Sequence, residues 1–234
     1  MSAYVLVHGA FHGGWCWRRV VPLLRSAGHE VYTPTLTGLG ERAHLACPEV
    51  SLATHIEDVS ALLEYEDLTN VILVGHSYSG MVIAGVAERL PERIGCLVYL
   101  DAFVPEDGQS LADIKGRDGI ESMRRQALSS GEGWKIPPPS SRYFDVADEA
   151  DVRWADARLT PQPIRTFEEP LRLSNPKARL IPSAYIVCTR QQDGFERVAA
   201  RMKSRGWQCF EIATGHDAMI TAPRELAGIL LALR

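Results

Sequence analysis

The sequence predicts an α/β fold, in which a doubly wound, mostly parallel sheet carries helices on both faces. Short apolar runs rich in β-branched residues alternate with amphipathic segments, which is the order of parallel strands joined by helical crossovers. The apolar runs are almost continuous, as expected for strands that are buried on both faces. With 234 residues and 46% hydrophobic content, the chain can also bury one full core.

The predicted elements follow one another regularly up to residue 105. A strand comes first, then an amphipathic segment that Gly28 stops, a second strand, and a helix with an apolar stripe from Ile56 to Leu63. A third strand turns into a helix that ends at Pro91, and a fourth strand follows. In letters these elements are AYVLVHG, WCWRRVVPLLRSAG, HEVYTPT, THIEDVSALLEYE, NVILVGH, MVIAGVAERL and IGCLVYLD.

The regular order breaks between Pro105 and about Pro182. Prolines and acids cluster there, and only irregular helical pieces such as GIESMRRQALSSG and DEADVRWADARL occur. A connection of this length is either functional or disordered, and its aromatic residues favour order. We therefore expect residues 106–181 to form a helical cap, with 1–105 and 182–234 as the core. The core resumes with SAYIVCT, FERVAARMKSRG, WQCFEIA and PRELAGILLALR as strand, helix, strand and helix.

Charge and composition argue against several classes of function. The formal net charge is -4 and the arginines are scattered, so no basic face is available for nucleic acid, and we expect no such partner. The sequence has no apolar run long enough to span a bilayer and no recognisable targeting segment, so we expect a cytoplasmic protein without membrane contact. The five cysteines lack metal-type spacing, which predicts reduced core residues and no metal site.

The segment VILVGHSYSGM, residues 71–81, joins the third strand directly to a helix. Gly75 lies two residues before Ser77 and small residues follow it, which is typical of a sharp, strained turn. Such a turn lifts the Ser77 hydroxyl above the carboxyl edge of the sheet, where α/β folds bind ligands. It also places the backbone N–H of Tyr78 at a helix start, where negative charge is stabilised. We interpret Ser77 as a nucleophile; the alternative is a tight turn that merely needs small residues.

A serine hydroxyl needs a base before it can attack a carbonyl carbon. His216 lies in a loop between the last strand and the last helix, and therefore at the same edge of the sheet as Ser77. The glycine-rich loop after the first strand, within VLVHGAFHGGWCW, can turn the N–H of Ala10 toward the N–H of Tyr78. These two donors predict an oxyanion hole.

Three segments, VLVHGAFHGGWCW, VILVGHSYSGM and YIVCT, together resemble the α/β-hydrolase superfamily. The similarity points to the branch that holds plant methylesterases, hydroxynitrile lyases and many small bacterial esterases, and it covers nearly the whole chain outside the cap. It implies the α/β-hydrolase fold with a helical cap inserted after the sixth core strand. It also implies ester hydrolysis through an acyl-enzyme, without metal or organic cofactor. One departure is Ser79, which stands where the elbow motif has glycine.

The orienting acid departs from the plant pattern. Plant members carry it after the strand that matches SAYIVCT, where this sequence has Gln191 and Gln192, with Asp193 slightly further on. Asp101 ends the strand that follows the nucleophile's strand, where plant relatives tend to have a neutral residue. Because glutamine holds the usual place, we favour Asp101 as the acid and keep Asp193 as the alternative.

We expect an apolar pocket for a small-molecule ester, in a monomer or homodimer. Besides Tyr78, its predicted lining residues are Phe11, Phe103, Trp134 and Met219. Two other functions remain open. Plant hydroxynitrile lyases carry a lysine next to the catalytic histidine, whereas Asp217 stands there in this chain and disfavours a cyanide anion. The third hypothesis is a non-catalytic small-molecule receptor on the same fold.

Overall fold

A six-stranded parallel sheet forms the framework of the protein. The computed structural model describes residues 2–190 and 194–233. The strands, in chain order, are β1 (Ala3–Val7), β2 (Glu30–Tyr32), β3 (Val71–His76), β4 (Ile94–Leu100), β5 (Lys135–Ile136), β6 (Gln162–Pro163), β7 (Ser183–Cys188) and β8 (Gln208–Ile212). The sheet has the order β2-β1-β3-β4-β7-β8 and every neighbouring pair in it is parallel. Strands β5 and β6 form a separate antiparallel pair.

Helices cover both faces of this sheet. They are α1 (Val21–Ser26), α2 (Leu52–Tyr65), α3 (Ser79–Arg89), α4 (Leu111–Ser130), α5 (Glu149–Asp156), α6 (Arg165–Glu168), α7 (Phe195–Ser204), α8 (Ala218–Thr221) and α9 (Pro223–Ala232). Val5 and Val7 of β1 belong to the apolar core shared with α2, α3 and α7, whereas Leu6 belongs to the core shared with α1 and α9. The predicted doubly wound fold is confirmed. None of the helices within the described ranges is long and apolar enough to cross a membrane.

Pro22 explains one difference from the sequence prediction. The amphipathic segment predicted as one helix is a 3₁₀ turn, Gly14–Arg19, followed by the separate helix α1. Proline lacks a backbone N–H and is accommodated in the first turn of a helix, so a new helix begins at Val21. All five cysteines are free thiols, of which Cys16 and Cys188 are buried and the others half-buried.

The chain between β4 and β7 contains α4, α5, α6 and the β5–β6 pair. Its apolar residues Ile136, Phe144 and Phe167 are buried in the core on the α2 and α3 face of the sheet. The segment follows β4, the fourth strand among the described residues, whereas the resemblance implied a position after the sixth core strand. Gly116, at a φ of 77°, interrupts α4 with a kink.

Two fully buried histidines, His8 and His55, lie beneath the carboxyl edge of the sheet. His8 accepts a hydrogen bond at Nε2 from the Leu36 N–H (3.1 Å), and His55 accepts one at Nδ1 from the Tyr78 hydroxyl (2.9 Å) and donates from Nε2 to the Thr37 carbonyl (2.9 Å). Both rings are therefore bonded as neutral imidazoles. Burial lowers the pKa of His8 to about 3 and the pKa of His55 to about 4.

We expect the free energy of unfolding to fall as the pH is lowered from 7 to 5. In the unfolded chain each histidine titrates near pH 6.5, so the unfolded state takes up a proton that the folded state rejects. Each neutral ring stabilises the folded state fully above pH 6.5, and this stabilisation is lost as the pH falls toward the pKa of the folded state. Between pH 7 and pH 5 the loss is about 2 kcal/mol per histidine. Urea unfolding at the two pH values measures the effect.

A pair of variants assigns this pH dependence to its source. His55→Asn is expected to remove about one histidine's share of the difference, whereas His44→Asn, at an exposed position, is expected to leave it unchanged. Equal pH dependence in His55→Asn and the wild type would contradict the assignment.

Candidate active site

Ser77 lies in the turn between β3 and α3. Its φ is 55°, in the left-handed region that residues other than glycine rarely adopt. The Ser77 N–H donates to the Leu100 carbonyl at the end of β4 (3.1 Å), and the Ser77 carbonyl accepts from the N–H groups of Gly80 and Phe103 (3.1 Å each). These backbone bonds hold the strained residue in place, so the position of the hydroxyl is set by the main chain.

Two glycines and a serine permit the tight packing of this turn. A Cβ on Gly75 would lie 2.6 Å from the Ser79 carbonyl oxygen, and one on Gly80 would collide with the carbonyl oxygen of Phe103. The Ser79 hydroxyl donates a hydrogen bond to the His8 carbonyl. Ser79 therefore does more than replace a motif glycine, because its side chain ties the turn to the loop after β1.

Ser77 and His216 line the same cavity, which has a volume of about 470 Å³. Aromatic side chains form much of its wall, and they are Phe11, Tyr78, Phe103, Tyr143, Phe144, Phe167 and Phe195. The cavity opens at the carboxyl end of β3, where a parallel sheet is expected to bind its ligand. Its size and apolar wall suit a small organic molecule.

A second cavity of about 470 Å³ has a different character. It is lined by Tyr99 and Trp207 and by charged residues that include Glu88 and Arg205. Its described lining includes no histidine, so it offers no imidazole base. We therefore place the candidate active site in the cavity that holds Ser77.

His216 is 5% exposed and follows β8 in the chain. Its Nδ1 lies 2.6 Å from Oδ2 of Asp101. Since a carboxylate accepts, Nδ1 carries the hydrogen of this bond and Nε2 is the ring atom with a lone pair. The imidazole stacks on Phe195, with ring planes 8° apart and centroids 5.3 Å apart, and on Phe144 at 5.8 Å. The hydrogen bond to Asp101 and these aromatic contacts help to fix the orientation of the ring.

Asp101 is 1% exposed and is fixed to the neighbouring strand β7. Its N–H donates to the Ile186 carbonyl (2.7 Å), and its Oδ1 accepts from the Cys188 N–H (3.0 Å), while its φ of 43° turns the side chain toward the loop after β8. The carboxylate therefore has fixed partners for both oxygens. Asp193, the alternative acid, lies outside the described residues.

Ala10 and Tyr78 lie on the same cavity wall as Ser77. Within the described residues, neither backbone N–H donates to a protein acceptor. The N–H of Tyr78 lies at the start of α3, where unpaired donors and the helix dipole favour an anion. The Tyr78 hydroxyl is turned to His55, and burial raises the pKa of this phenol well above its usual value.

Phe11 and Phe103 line the cavity that holds Ser77, and their contact with a substrate stays a prediction. Sequence reasoning missed the two rings that stack on His216, Phe144 and Phe195. A signal for both was available, since Phe144 lies in the aromatic-containing cap sequence and Phe195 begins the helix after SAYIVCT. Neither position by itself indicated contact with His216, because that contact joins elements distant in the sequence.

Met219 and Trp134 lie elsewhere, which corrects the predicted pocket lining. Met219 is fully buried in the core on the α1 and α9 face, because helix α8 packs against the 3₁₀ turn Gly14–Arg19. Trp134 is half-buried beside β5, with its ring 5.2 Å from Nζ of Lys135. Met219 is close to His216 in the sequence, but the short helix α8 turns its side chain into the core.

Comparison with known proteins gives the family. Residues 4–229 match the alpha/beta hydrolase family. The chain belongs to this family. This alpha/beta hydrolase is 44% identical over 243 aligned positions to a carbendazim hydrolyzing esterase from Nocardioides sp. (strain SG-4G), with 100% of both chains covered. It is 26% identical to methyl jasmonate esterase 1 from Vitis vinifera, with 97% of this chain and 94% of the relative covered.

Solved structures agree with the sequence relatives. This alpha/beta hydrolase superposes on an extracellular alpha/beta-hydrolase from a Paenibacillus species with a TM-score of 0.87 and 27% identity, covering 99% of this chain and 98% of the other. That protein is described as sharing structural and functional homology with tobacco salicylic acid binding protein 2. The resemblance read from the sequence is confirmed.

Proposed function

We propose that this alpha/beta hydrolase cleaves small carboxylic esters through an acyl-enzyme intermediate. The observation that carries the proposal is the 2.6 Å hydrogen bond that orients His216 through Asp101 beside the cavity that Ser77 lines. The relatives support the enzyme class, because they are esterases across nearly the full length of this chain. The residue roles rest on the geometry and on the chemistry of serine nucleophiles.

In the first half-reaction, Oγ of Ser77 attacks the carbonyl carbon while its proton passes to Nε2 of His216. The carbonyl oxygen becomes an oxyanion that accepts from the N–H groups of Ala10 and Tyr78, each worth about 3 kcal/mol of transition-state stabilisation. When the tetrahedral intermediate collapses, the ester C–O bond breaks and the leaving alkoxide takes the proton from His216. The alcohol departs and the acyl group remains on Ser77.

Water completes the cycle by the same proton path. Nε2 of His216 removes a proton from a water molecule while the oxygen of that water attacks the acyl carbon. The second tetrahedral intermediate then expels Oγ of Ser77, which takes the proton back from His216. Asp101 keeps the Nδ1–H tautomer and stabilises the imidazolium formed in each step. The stacked rings of Phe144 and Phe195 keep this ion pair out of bulk water.

A series of p-nitrophenyl esters tests the function. We expect turnover, with the highest kcat/KM for short aliphatic or aromatic acyl groups that fit the aromatic-walled cavity and a decline for long chains. Cyanide release from a cyanohydrin without ester turnover would instead favour the lyase hypothesis. Saturable ligand binding without turnover of any ester would favour a receptor, and either result would overturn the proposal.

A further inference from the structure

The peptide group between Ala10 and Phe11 is held at both ends by buried side chains. Its carbonyl oxygen, on Ala10, lies 2.8 Å from Nδ1 of His12, and its N–H, on Phe11, donates to Oε1 of Gln162 at 3.1 Å. His12 is 1% exposed and Gln162 is fully buried. The peptide is adjacent to the Ala10 N–H that the proposed function uses as an oxyanion donor.

The His12 contact is anchored on the loop that carries the proposed base. Nε2 of His12 lies 3.2 Å from Oδ2 of Asp217, which is fully buried and directly follows His216. A carbonyl can only accept, so Nδ1 of His12 carries a hydrogen toward Ala10, while Nε2 on the other side of the ring faces the carboxylate of Asp217 at hydrogen-bond distance. Rotation of the ring would break both bonds. His12 therefore has one stable orientation.

The Gln162 contact is fixed by a short chain of hydrogen bonds. The Thr166 hydroxyl donates to the Pro163 carbonyl (2.6 Å) and must therefore accept from Nε2 of Gln162 (2.7 Å). This leaves Oε1 of Gln162 as the atom that faces Phe11. Gln162 comes from the segment between β4 and β7, so a part of the chain expected to act as a cap also contacts the loop after β1.

The hydrogen bonds at both ends of this peptide matter because Phe11 adopts a φ of 68°. The left-handed conformation costs a residue other than glycine roughly 1–2 kcal/mol, so the loop would relax if its peptide were not held. Relaxation would rotate the Ala10–Phe11 peptide and move the neighbouring N–H of Ala10. An oxyanion donor acts only when it is aimed at the site of developing charge.

We propose that Gln162 and the His12–Asp217 pair are positioning residues that aim the Ala10 N–H at the oxyanion. The inference rests on the proposed ester hydrolysis. It assigns a role in the catalytic geometry to three buried polar residues that act through the Ala10–Phe11 peptide, and of these His12 also lines the cavity.

Gln162→Met, which keeps the length of the side chain but removes the acceptor, tests the proposal. We expect kcat to fall about 10- to 100-fold with KM changed less than about threefold, and affinity for a trifluoromethyl ketone, which forms an oxyanion on Ser77, to fall in parallel. Gln162→Glu, which retains an acceptor for Phe11, is expected to recover part of the loss. Ser141→Ala is the matched control: Ser141 is fully buried in the same segment and does not line the cavity that holds Ser77, so kcat should not change.

Hydrogen exchange of the Phe11 amide reports on the contact without any use of activity. We expect exchange to be at least about tenfold faster in Gln162→Met than in the wild type or Ser141→Ala, because the amide loses its acceptor. If Gln162→Met does not fold, His12→Leu removes the other anchor and the same kinetic and inhibitor measurements apply to it.

The outcomes separate the two proposals. Wild-type kcat and ketone affinity in a folded Gln162→Met or His12→Leu variant would overturn the positioning role while ester hydrolysis by the wild type stood. If the wild type hydrolyses no ester, the proposed function fails and the positioning role falls with it, even where the Phe11 amide exchanges as expected.

Discussion

Ser77→Ala is expected to lower kcat for ester hydrolysis by roughly 10⁵-fold or more without unfolding the protein. The variant removes the only atom that could form the acyl bond in the proposed mechanism. The turn should persist, because the hydrogen bonds of Ser77 to Leu100, Gly80 and Phe103 all use its backbone. Turnover of a short p-nitrophenyl ester, with the melting temperature measured on the same preparation, checks both halves of this expectation.

A buried serine elsewhere provides the control for Ser77→Ala. Ser60 on α2 is 4% exposed, and its hydroxyl has no partner among the described residues. Ser60→Ala should therefore retain full kcat. Activity above about one hundredth of the wild type in Ser77→Ala, after exclusion of contaminating hydrolases, would remove Ser77 from the mechanism.

Asp101→Asn is expected to lower kcat by about 10⁴-fold through the tautomer of His216. The asparagine has one oxygen, and the Cys188 N–H, which now donates to Oδ1 of Asp101, requires an acceptor there. The asparagine NH₂ then faces Nδ1 of His216, which must present a lone pair, and the ring hydrogen moves to Nε2. A ring protonated at Nε2 cannot take the proton of Ser77.

Asp193→Asn separates the two candidate acids. It is isosteric like Asp101→Asn, and we expect it to change kcat by less than about threefold. A pH profile of kcat/KM adds a second measurement, since loss of the orienting carboxylate should also alter the ionisation that limits activity at low pH. A larger loss in Asp193→Asn than in Asp101→Asn would reverse the assignment.

Much of the fold follows from local patterns. The apolar runs that predict β1, β3, β4 and β7 are buried on both faces in the structure, because a strand between two helical layers has no side open to water. The turn at Ser77 is equally local, since it needs only small residues at fixed positions after a strand. Pro22 explains why α1 begins at Val21, a helix start that the hydrophobic periodicity alone does not indicate.

Contacts between distant segments could not be predicted in the same way. Met219, predicted to line the pocket, lies only three residues after His216, yet the packing of α8 turns it into the core. Phe144 and Phe195, which stack on His216, come from segments on either side of β7. Side-chain direction in loops and short helices depends on what packs against them, and a single sequence does not contain that information.

The sequence by itself determined the parallel sheet, the strained serine turn and the edge at which chemistry could occur, because hydrophobic periodicity and turn geometry act over a few residues. Only the tertiary structure decided that Asp101, 115 positions before His216 in the chain, faces its imidazole, and that Gln162 holds the loop at Phe11. Whether a hydrogen bond forms depends on differences of a few tenths of an ångström in the distance between donor and acceptor. The packing of the whole sheet and its covering segment sets those distances, and no local pattern specifies them.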